Sequence, residues 1–342
     1  MRIALDASYS VDQHPSGIAI YSREILSGLA ASYPGDDFVH YYRPKQLLAS
    51  ERALYPNVQR RVLIPSFLAY EQIFHALNQR VESRSAKRVI VTFHDLFVLT
   101  ADYSSADFRA RFAEQARQAA EKADVIIAVS HFTAGQVCDL LRFDPSRIRV
   151  VPHGVHMPEP AVGVPREPMV LFVGALQIRK NVTRLVEAFA SLPDDWTLTL
   201  AGSTTGYRSA EILARIDASP CSRRINIRGY IQREELEDLY RRASIFAFPS
   251  LDEGFGMPVL DAMAHGVPVI TSNNSALREV AGDAALTVNP QCADEIAAAL
   301  LQLASHQELR DMFQEKGYRR VTDFSWNRAV FETHKVYEEF TT

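Results

Sequence analysis

The strongest constraint on this chain is an alternation kept over most of its length. Short apolar runs rich in β-branched residues are each followed by a segment with helical periodicity. The strand-like runs are "RIALDA", "RVIVTFHD", "DVIIAVS" and "IRVVPHG" in the first half, then "MVLFVGA", "WTLTLAG", "RINIRGY", "SIFAFPS" and "VPVITS". Between them lie amphipathic stretches such as "IAIYSREILSGLAASY", "FRARFAEQARQAAEKA" and "NVTRLVEAFASL". Buried strands alternating with helices indicate an α/β fold, with doubly wound parallel sheets covered on both faces. One stretch, "VHMPEPAVGVPREP", breaks the pattern with four prolines in fourteen residues and reads as an interdomain linker. A length of 342 residues exceeds what one core usually serves. The expectation is two α/β domains, 1–160 and 161–325, followed by a last helix over 326–342.

The formal net charge of −4 gives no general case for nucleic-acid binding. Cys138, Cys221 and Cys292 are far apart and odd in number, which fits neither a disulfide framework nor a zinc site and suits a reducing cytoplasm. The opening "MRIALDASYS" lacks the apolar run of a signal peptide or membrane span and reads as a first buried strand. Charge is uneven: 41–90 holds nine Lys or Arg against three acids. Such a run is ordinarily a solvated face; the alternative is contact with an anionic surface such as lipid phosphate.

In open α/β sheets ligands collect beyond the carboxyl ends of strands, where helix N-termini favour anions. Four loops there carry candidate chemistry. In "FPSLDEGFGMPVLDAMAHG", Gly254 and Gly256 let backbone N–H groups approach a ligand, and Pro258 opens a helix. Asp261, expected in the first turn of that helix, is also what the helix dipole favours. Glu253 has no cationic partner in its own loop, and carboxylates accepting from sugar or ribose hydroxyls would explain both acids. In "LFVGALQIRKNVTRLVEAF", Arg179 and Lys180 precede a helix with Asn181 as its expected N-cap, a pair of cations suited to a diphosphate. In "VTFHDLFVL", His94 and Asp95 directly follow a buried strand; a lone histidine there is more often structural than chemical. In "HPSGIAIYSREIL", Ser16 and Gly17 open the first long helix without the spaced glycines of a dinucleotide fingerprint. The sequence has no Asp-x-Asp pair for a divalent metal and no phosphate-loop, G-x-S-x-G or H-E-x-x-H motif.

With these loops in view, the chain resembles the family-four retaining glycosyltransferases of the GT-B fold, of the mannosyltransferase type found in bacterial surface-polysaccharide assembly. The resemblance rests on "YRRASIFAFPSLDEGFGMPVLDAMAHGVPVITSNNSALREVAGDAAL", with "VGALQIRKNVTRLVEAF", "TFHDL", "ADVIIAVSHFTAGQV" and "VVPHGV" in the expected order. It is strongest from 171 to 290 and thin from 34 to 85. It implies two Rossmann-like domains facing across a cleft, with the acceptor on the first and the donor nucleotide on the second. The final helix is implied to cross back to the first domain. By motif, Lys180 would hold the donor diphosphate with help from Arg179, and Glu253 would bind the hydroxyls of the transferred sugar. The backbone amides of Gly254, Phe255, Gly256 and Met257 would run along sugar and phosphate, and Asp261 would take the ribose. Gly17 would lie over the diphosphate, His94 near the reacting sugar, and Tyr230 and Ile231 beside the base. His94, Lys180 and Glu253 are thus the expected catalytic residues. Two departures stand out: the second acid is Asp261 where the family usually has Glu, and Ala175 stands where many relatives carry arginine.

The implied activity is retaining, metal-independent transfer of a hexose from a nucleotide sugar to a hydroxyl of a glycan or lipid-diphosphate-linked acceptor. GDP-mannose is the favoured donor, and no cofactor is expected. The implied setting is cytoplasmic, with peripheral contact at the inner membrane face through 41–90. The alternatives are a GT-B-fold sugar-nucleotide epimerase, which needs no acceptor, and a catalytically degenerate sugar-nucleotide-binding subunit. On this reading, Ala in place of Lys180 or Glu253 slows transfer and leaves the fold intact.

Overall fold

The structure is a computed structural model describing residues 1–12, 16–50, 55–63, 72–81, 86–159 and 164–340. Among the described residues the strands are β1 (Arg2–Asp6), β2 (Asp37–Tyr42), β3 (Val58–Val62), β4 (Ile73–Ala76), β5 (Arg88–Phe93), β6 (Val125–Ala128), β7 (Ile148–Val150), β8 (Glu167–Val173), β9 (Thr197–Ala201), β10 (Ile225–Gly229), β11 (Ala243–Phe248), β12 (Val269–Ser272) and β13 (Ala285–Val288). They form two sheets, β3-β2-β1-β4-β5-β6-β7 and β10-β9-β8-β11-β12-β13. Every pairing is parallel, with registers such as Asp6↔Tyr41 and Val173↔Ala201. Both orders reverse direction next to the first strand of the sheet, which is the doubly wound arrangement. The nine strands read from apolar runs are present. β2, β3, β4 and β13 are additions to that reading.

The chain divides into two compact units. One comprises Met1–Thr100, Ala106–Gly154 and Phe324–Thr342; the other comprises Ala101–Ser105 and Val155–Asp323. The short piece Ala101–Ser105 was not separable by sequence. Of the proline-rich stretch, 160–163 lie outside the described residues.

In the first unit the central strands are buried on both faces, and Phe74, Val91, Phe93, Leu96, Phe112 and Ile126 belong to one continuous core. Helix Gly17–Ser32 starts at Ser16, whose side chain accepts from the Ala19 N–H, a standard N-cap. The final helix, Trp326–Glu338, is capped in the same way by Ser325. It packs on the first unit: the His334 ring stacks on Tyr33 at 3.4 Å between centroids, and its Nε2 lies 2.7 Å from Asp36 Oδ2. Arg149 forks both oxygens of Glu339 at 2.8 Å.

Gly154 lets the final helix begin where it does. A Cβ there would fall inside the backbone of Ser325 and Trp326, which cannot move aside as a flexible side chain could. Gly154→Ala should therefore cost about 1–3 kcal/mol of stability by overpacking. It should also shift Trp326 emission to the red; an unchanged melting point and spectrum would contradict this close approach.

Three of the nine basic residues of this stretch are tied to the fold. Arg43 lies 3.8 Å from Asp6, Arg60 donates to the Leu47 and Ser50 carbonyls at 3.0 Å, and Arg88 pairs with Asp124 at 3.0 Å. β3, with Arg60 and Arg61, is a sheet edge, where charge discourages pairing with another chain. Arg52 and Arg84 lie outside the described residues.

Candidate active site

In the second sheet, neighbouring β8 and β11 lead into the loops that carry Lys180 and Glu253. That junction is the point where the strand order reverses, the usual place for a ligand in such sheets. After β8 the chain makes a short 3-10 turn, Ile178–Lys180, before helix Val182–Phe189. After β11 it runs through 249–256 into helix Met257–Ala264. Gly256 precedes that helix at φ 125°, a conformation L side chains rarely adopt, and a Cβ there would press on the Leu277 side chain. Pro258 sits in the first turn.

The loops are tied together. The Leu251 N–H donates to the Arg179 carbonyl at 2.8 Å, and the Ala276 N–H to the Glu253 carbonyl at 3.1 Å. Asn181 occupies the N-cap position of helix Val182–Phe189, but its side chain does not cap. Instead its Nδ2 donates to the carbonyls of Pro249 (2.9 Å) and Pro290 (2.6 Å), joining the loops after β8, β11 and β13. Asn181 thus braces the loops, a role its local sequence does not suggest.

Glu253 is not short of cations. Its Oε2 lies 2.7 Å from Arg179 Nη1 and its Oε1 2.6 Å from Lys180 Nζ, while Ser250 donates to Oε1 at 2.7 Å. Lys180 comes from 73 positions away in sequence and Arg179 is its neighbour, so the loop's own composition could not reveal them. Burial pushes the Glu253 carboxyl up. Arg179, Lys180 and the hydrogen bonds from Lys180 and Ser250 outweigh this and hold it at about 2. Arg179 is buried and also donates to the Asp252 carbonyl, whereas Lys180 is partly exposed and lies 4.7 Å over the Phe248 ring. Arg179 is therefore oriented toward the acid.

Asp261 is in the second turn of its helix rather than the first, which holds no acid. The dipole explanation for it falls away. Burial raises its carboxyl to about 7, against the lowering effect of His156 and Arg233. Gly254, Phe255 and Gly256 are buried, Met257 is half-buried, and Tyr230 is exposed with Ile231 in the loop after β10. A cavity of about 330 Å³ adjoins the cluster, walled by Tyr103, Ile178, Asn181, Arg184, Arg208 and Leu251 among others. Lys180, Glu253 and Asp261 do not line it.

Gly17 and His94 are in the first unit, at the carboxyl ends of β1 and β5. Gly17 is the exposed first residue of its helix. His94 is buried; its Nε2 lies 2.9 Å from the Leu77 carbonyl and its Nδ1 3.4 Å from His153 Nε2. Burial, only partly offset by the Leu77 hydrogen bond, pulls its pKa down to about 4, so the ring is neutral near pH 7. The second unit thus brings Arg179, Lys180, Ser250 and Glu253 into one cluster, with Asp261 on the helix that follows.

Comparison with known proteins follows the same division. The model of the family described as Glycosyl transferases group 1 matches residues 160–320, and that of Glycosyltransferase Family 4 matches residues 18–157. The O-antigen chain mannosyltransferase B of Escherichia coli is 29% identical over 331 residues, spanning 92% of this chain and 86% of its own. The MMP alpha-(1->4)-mannosyltransferase of Mycolicibacterium hassiacum is 30% identical over 237 residues, 67% of this chain and 57% of its own length. Among solved structures, sucrose-phosphate synthase from Thermosynechococcus elongatus aligns with a TM-score of 0.82 at 21% identity, covering 100% of this chain and 99% of its own. At that identity the structural likeness speaks for the fold alone.

Proposed function

Because the chain belongs to the family-four glycosyltransferases of the GT-B fold, we propose that it moves mannose from GDP-mannose to a hydroxyl of a glycan or lipid-diphosphate-linked acceptor, with retention of anomeric configuration. The observation that carries this reading is the Arg179–Lys180–Glu253 cluster at the reversal point of the second sheet. The mannose assignment draws on the names of the two mannosyltransferase relatives.

When the sugar–phosphate bond breaks, its electron pair passes to a phosphate oxygen and the diphosphate gains negative charge. Lys180 is the group that meets this charge, turning from Glu253 toward the phosphate. Glu253, ionised and braced by Arg179 and Ser250, accepts hydrogen bonds from the hydroxyls of the transferred sugar. The amides of Gly254 to Met257 donate along sugar and phosphate, and Tyr230 and Ile231 border the base. By the family resemblance Gly17 is assigned to the diphosphate, and neutral His94 to the reacting sugar as a hydrogen-bonding group rather than as an acid. The acceptor hydroxyl attacks from the face the leaving group departs, its proton passing to the departing phosphate oxygen, and no metal takes part.

Among the described residues no helix is long and apolar enough to cross a membrane. Peripheral contact through 41–90 has to use basic residues other than Arg43, Arg60 and Arg88, which serve the fold.

Asp261 makes donor binding depend on pH. Ribose hydroxyls donate to an ionised carboxylate, and burial holds this one up to about 7. Donor affinity measured by calorimetry should rise from pH about 6 to about 8, and Asp261→Asn should flatten the rise. An identical slope in the variant would remove Asp261 from the ribose.

The reading is tested by a thermal-shift screen of nucleotide sugars, followed by donor hydrolysis with and without EDTA. GDP-mannose should stabilise most, and EDTA should leave turnover unchanged. A uridine sugar stabilising most would overturn the donor, and loss of activity in EDTA the metal-free route. Conversion of donor to an epimer without acceptor would overturn transfer itself.

A further inference from the structure

The core of the first unit contains a chain of polar side chains that the chemistry above does not use. Tyr21, His75, Thr92 and Tyr337 are fully buried. Tyr21 OH lies 2.9 Å from Thr92 Oγ1, Thr92 Oγ1 lies 2.8 Å from His75 Nε2, and His75 Nδ1 lies 2.6 Å from Tyr337 OH. The four residues come from helix Gly17–Ser32, β4, β5 and the final helix. Apolar residues of similar volume would fill this space with no desolvation cost. A fully bonded buried network instead fixes positions.

The chain is uncharged. Burial, with a smaller effect from His94, brings the His75 pKa down to about 3, and burial pushes both phenols up. Each of the three hydroxyls and the neutral imidazole supplies one hydrogen, four in all for three links. The links are therefore satisfied with a hydrogen to spare, and no proton has to be gained or lost.

At one end of the chain stands His94. The Tyr21 ring meets it edge-on, with centroids 4.7 Å apart at 78°, and lies 4.9 Å from His153. Thr92 is the penultimate residue of β5, and His94 directly follows the strand's last residue, Phe93. The Leu77 carbonyl takes a hydrogen from His94 Nε2, which leaves Nδ1 as an acceptor facing His153 Nε2. At the other end stands Tyr337, in the last turn of the final helix, while Trp326 in its first turn packs 5.8 Å from the His153 ring.

We propose that Tyr21, Thr92, His75 and Tyr337 form a positioning relay through which the final helix fixes the plane of the His94 imidazole. The relay rests on the reading that His94 serves the reacting sugar. It explains how a loop histidine beyond a strand end stays in one rotamer: Tyr21 blocks its rotation, and the relay prevents Tyr21 from retreating. The roles of Tyr21 and Tyr337 are positional, since each acts through another residue.

The experiment compares full-length wild type with Tyr21→Phe, Tyr337→Phe, Thr92→Val, Thr92→Ser and His94→Asn. Transfer kinetics, donor affinity by calorimetry and the nitrogen-15 signals of the His94 ring are read for each. Loss of the hydroxyl at 21, 92 or 337 should lower kcat about tenfold, as expected for a loosened reacting geometry. Donor affinity should stay unchanged, Thr92→Ser should restore kcat, and the His94 signals should shift and broaden as the ring samples more than one orientation. Lowered melting temperatures with full kcat and unmoved ring signals would overturn the relay and leave the role of His94 standing. Full activity in His94→Asn would instead overturn that role. The relay would then be decided by the ring signals alone, and signals identical to wild type in Tyr337→Phe would overturn it.

Discussion

Lys180→Ala should lower kcat for sugar transfer by about 10²–10³-fold, the effect of removing one preorganised donor from a developing oxyanion. The reason is differential. The diphosphate is already anionic when the donor binds and becomes more so as the bond to the sugar breaks, so a fixed cation stabilises the later state more. Lys180 is placed for this: partly exposed, over the Phe248 ring and bonded to Glu253 across a single contact. Its loss leaves Glu253 paired with Arg179 and bonded by Ser250, so the fold should persist. Steady-state transfer assays and circular dichroism on the variant check both parts. Near-normal turnover would remove Lys180 from the leaving-group site.

Glu253→Ala gives the opposite balance, with loss of stability as well as of activity. Arg179 is buried and loses its carboxylate, and breaking a buried pair from one side costs about 3–5 kcal/mol. The expectation that Ala at either position spares the fold therefore applies to Lys180 and not to Glu253. The ion pair also sets a pH dependence. The folded pKa of about 2 lies below the ordinary 4.5 of a glutamate, so Glu253 contributes stability that is fully present above 4.5. That contribution is lost as pH falls from 4.5 toward 2, because the unfolded chain then takes up the proton first. Urea unfolding across this range should show wild type losing its advantage over Glu253→Gln as acid is added. A constant difference between the two would contradict the pairing.

Much of the fold was legible because buried parallel strands leave an uninterrupted apolar signature. β8, "EPMVLFV", and β11, "ASIFAF", could be read directly. β2, "DFVHYY", and β4, "IFHA", were not, because each carries a histidine that burial makes neutral inside an apolar run. β3, "VQRRV", reads as a basic surface segment, since an edge strand needs only one apolar face. The site was legible where backbone geometry demands particular residues, as at Gly256 and Pro258. It was illegible where a side chain's partner is remote, as with the Asn181 amide and the carbonyls of Pro249 and Pro290.

The sequence by itself determined two parallel α/β sheets, the loops beyond β8 and β11 as the candidate place for chemistry, and residue types there that suit a sugar and a diphosphate. These follow from local rules: side-chain period, turn chemistry and the charge a helix end prefers. Tertiary structure alone decided that Glu253 is held ionised by Arg179 and Lys180, and that Asp261 is held near neutrality by burial. It also decided that Tyr337, on a helix from the far end of the chain, meets His75 inside the first core. Each of these is a matter of charge, burial or contact between residues distant in sequence, and the folded chain fixes such distances where local composition does not.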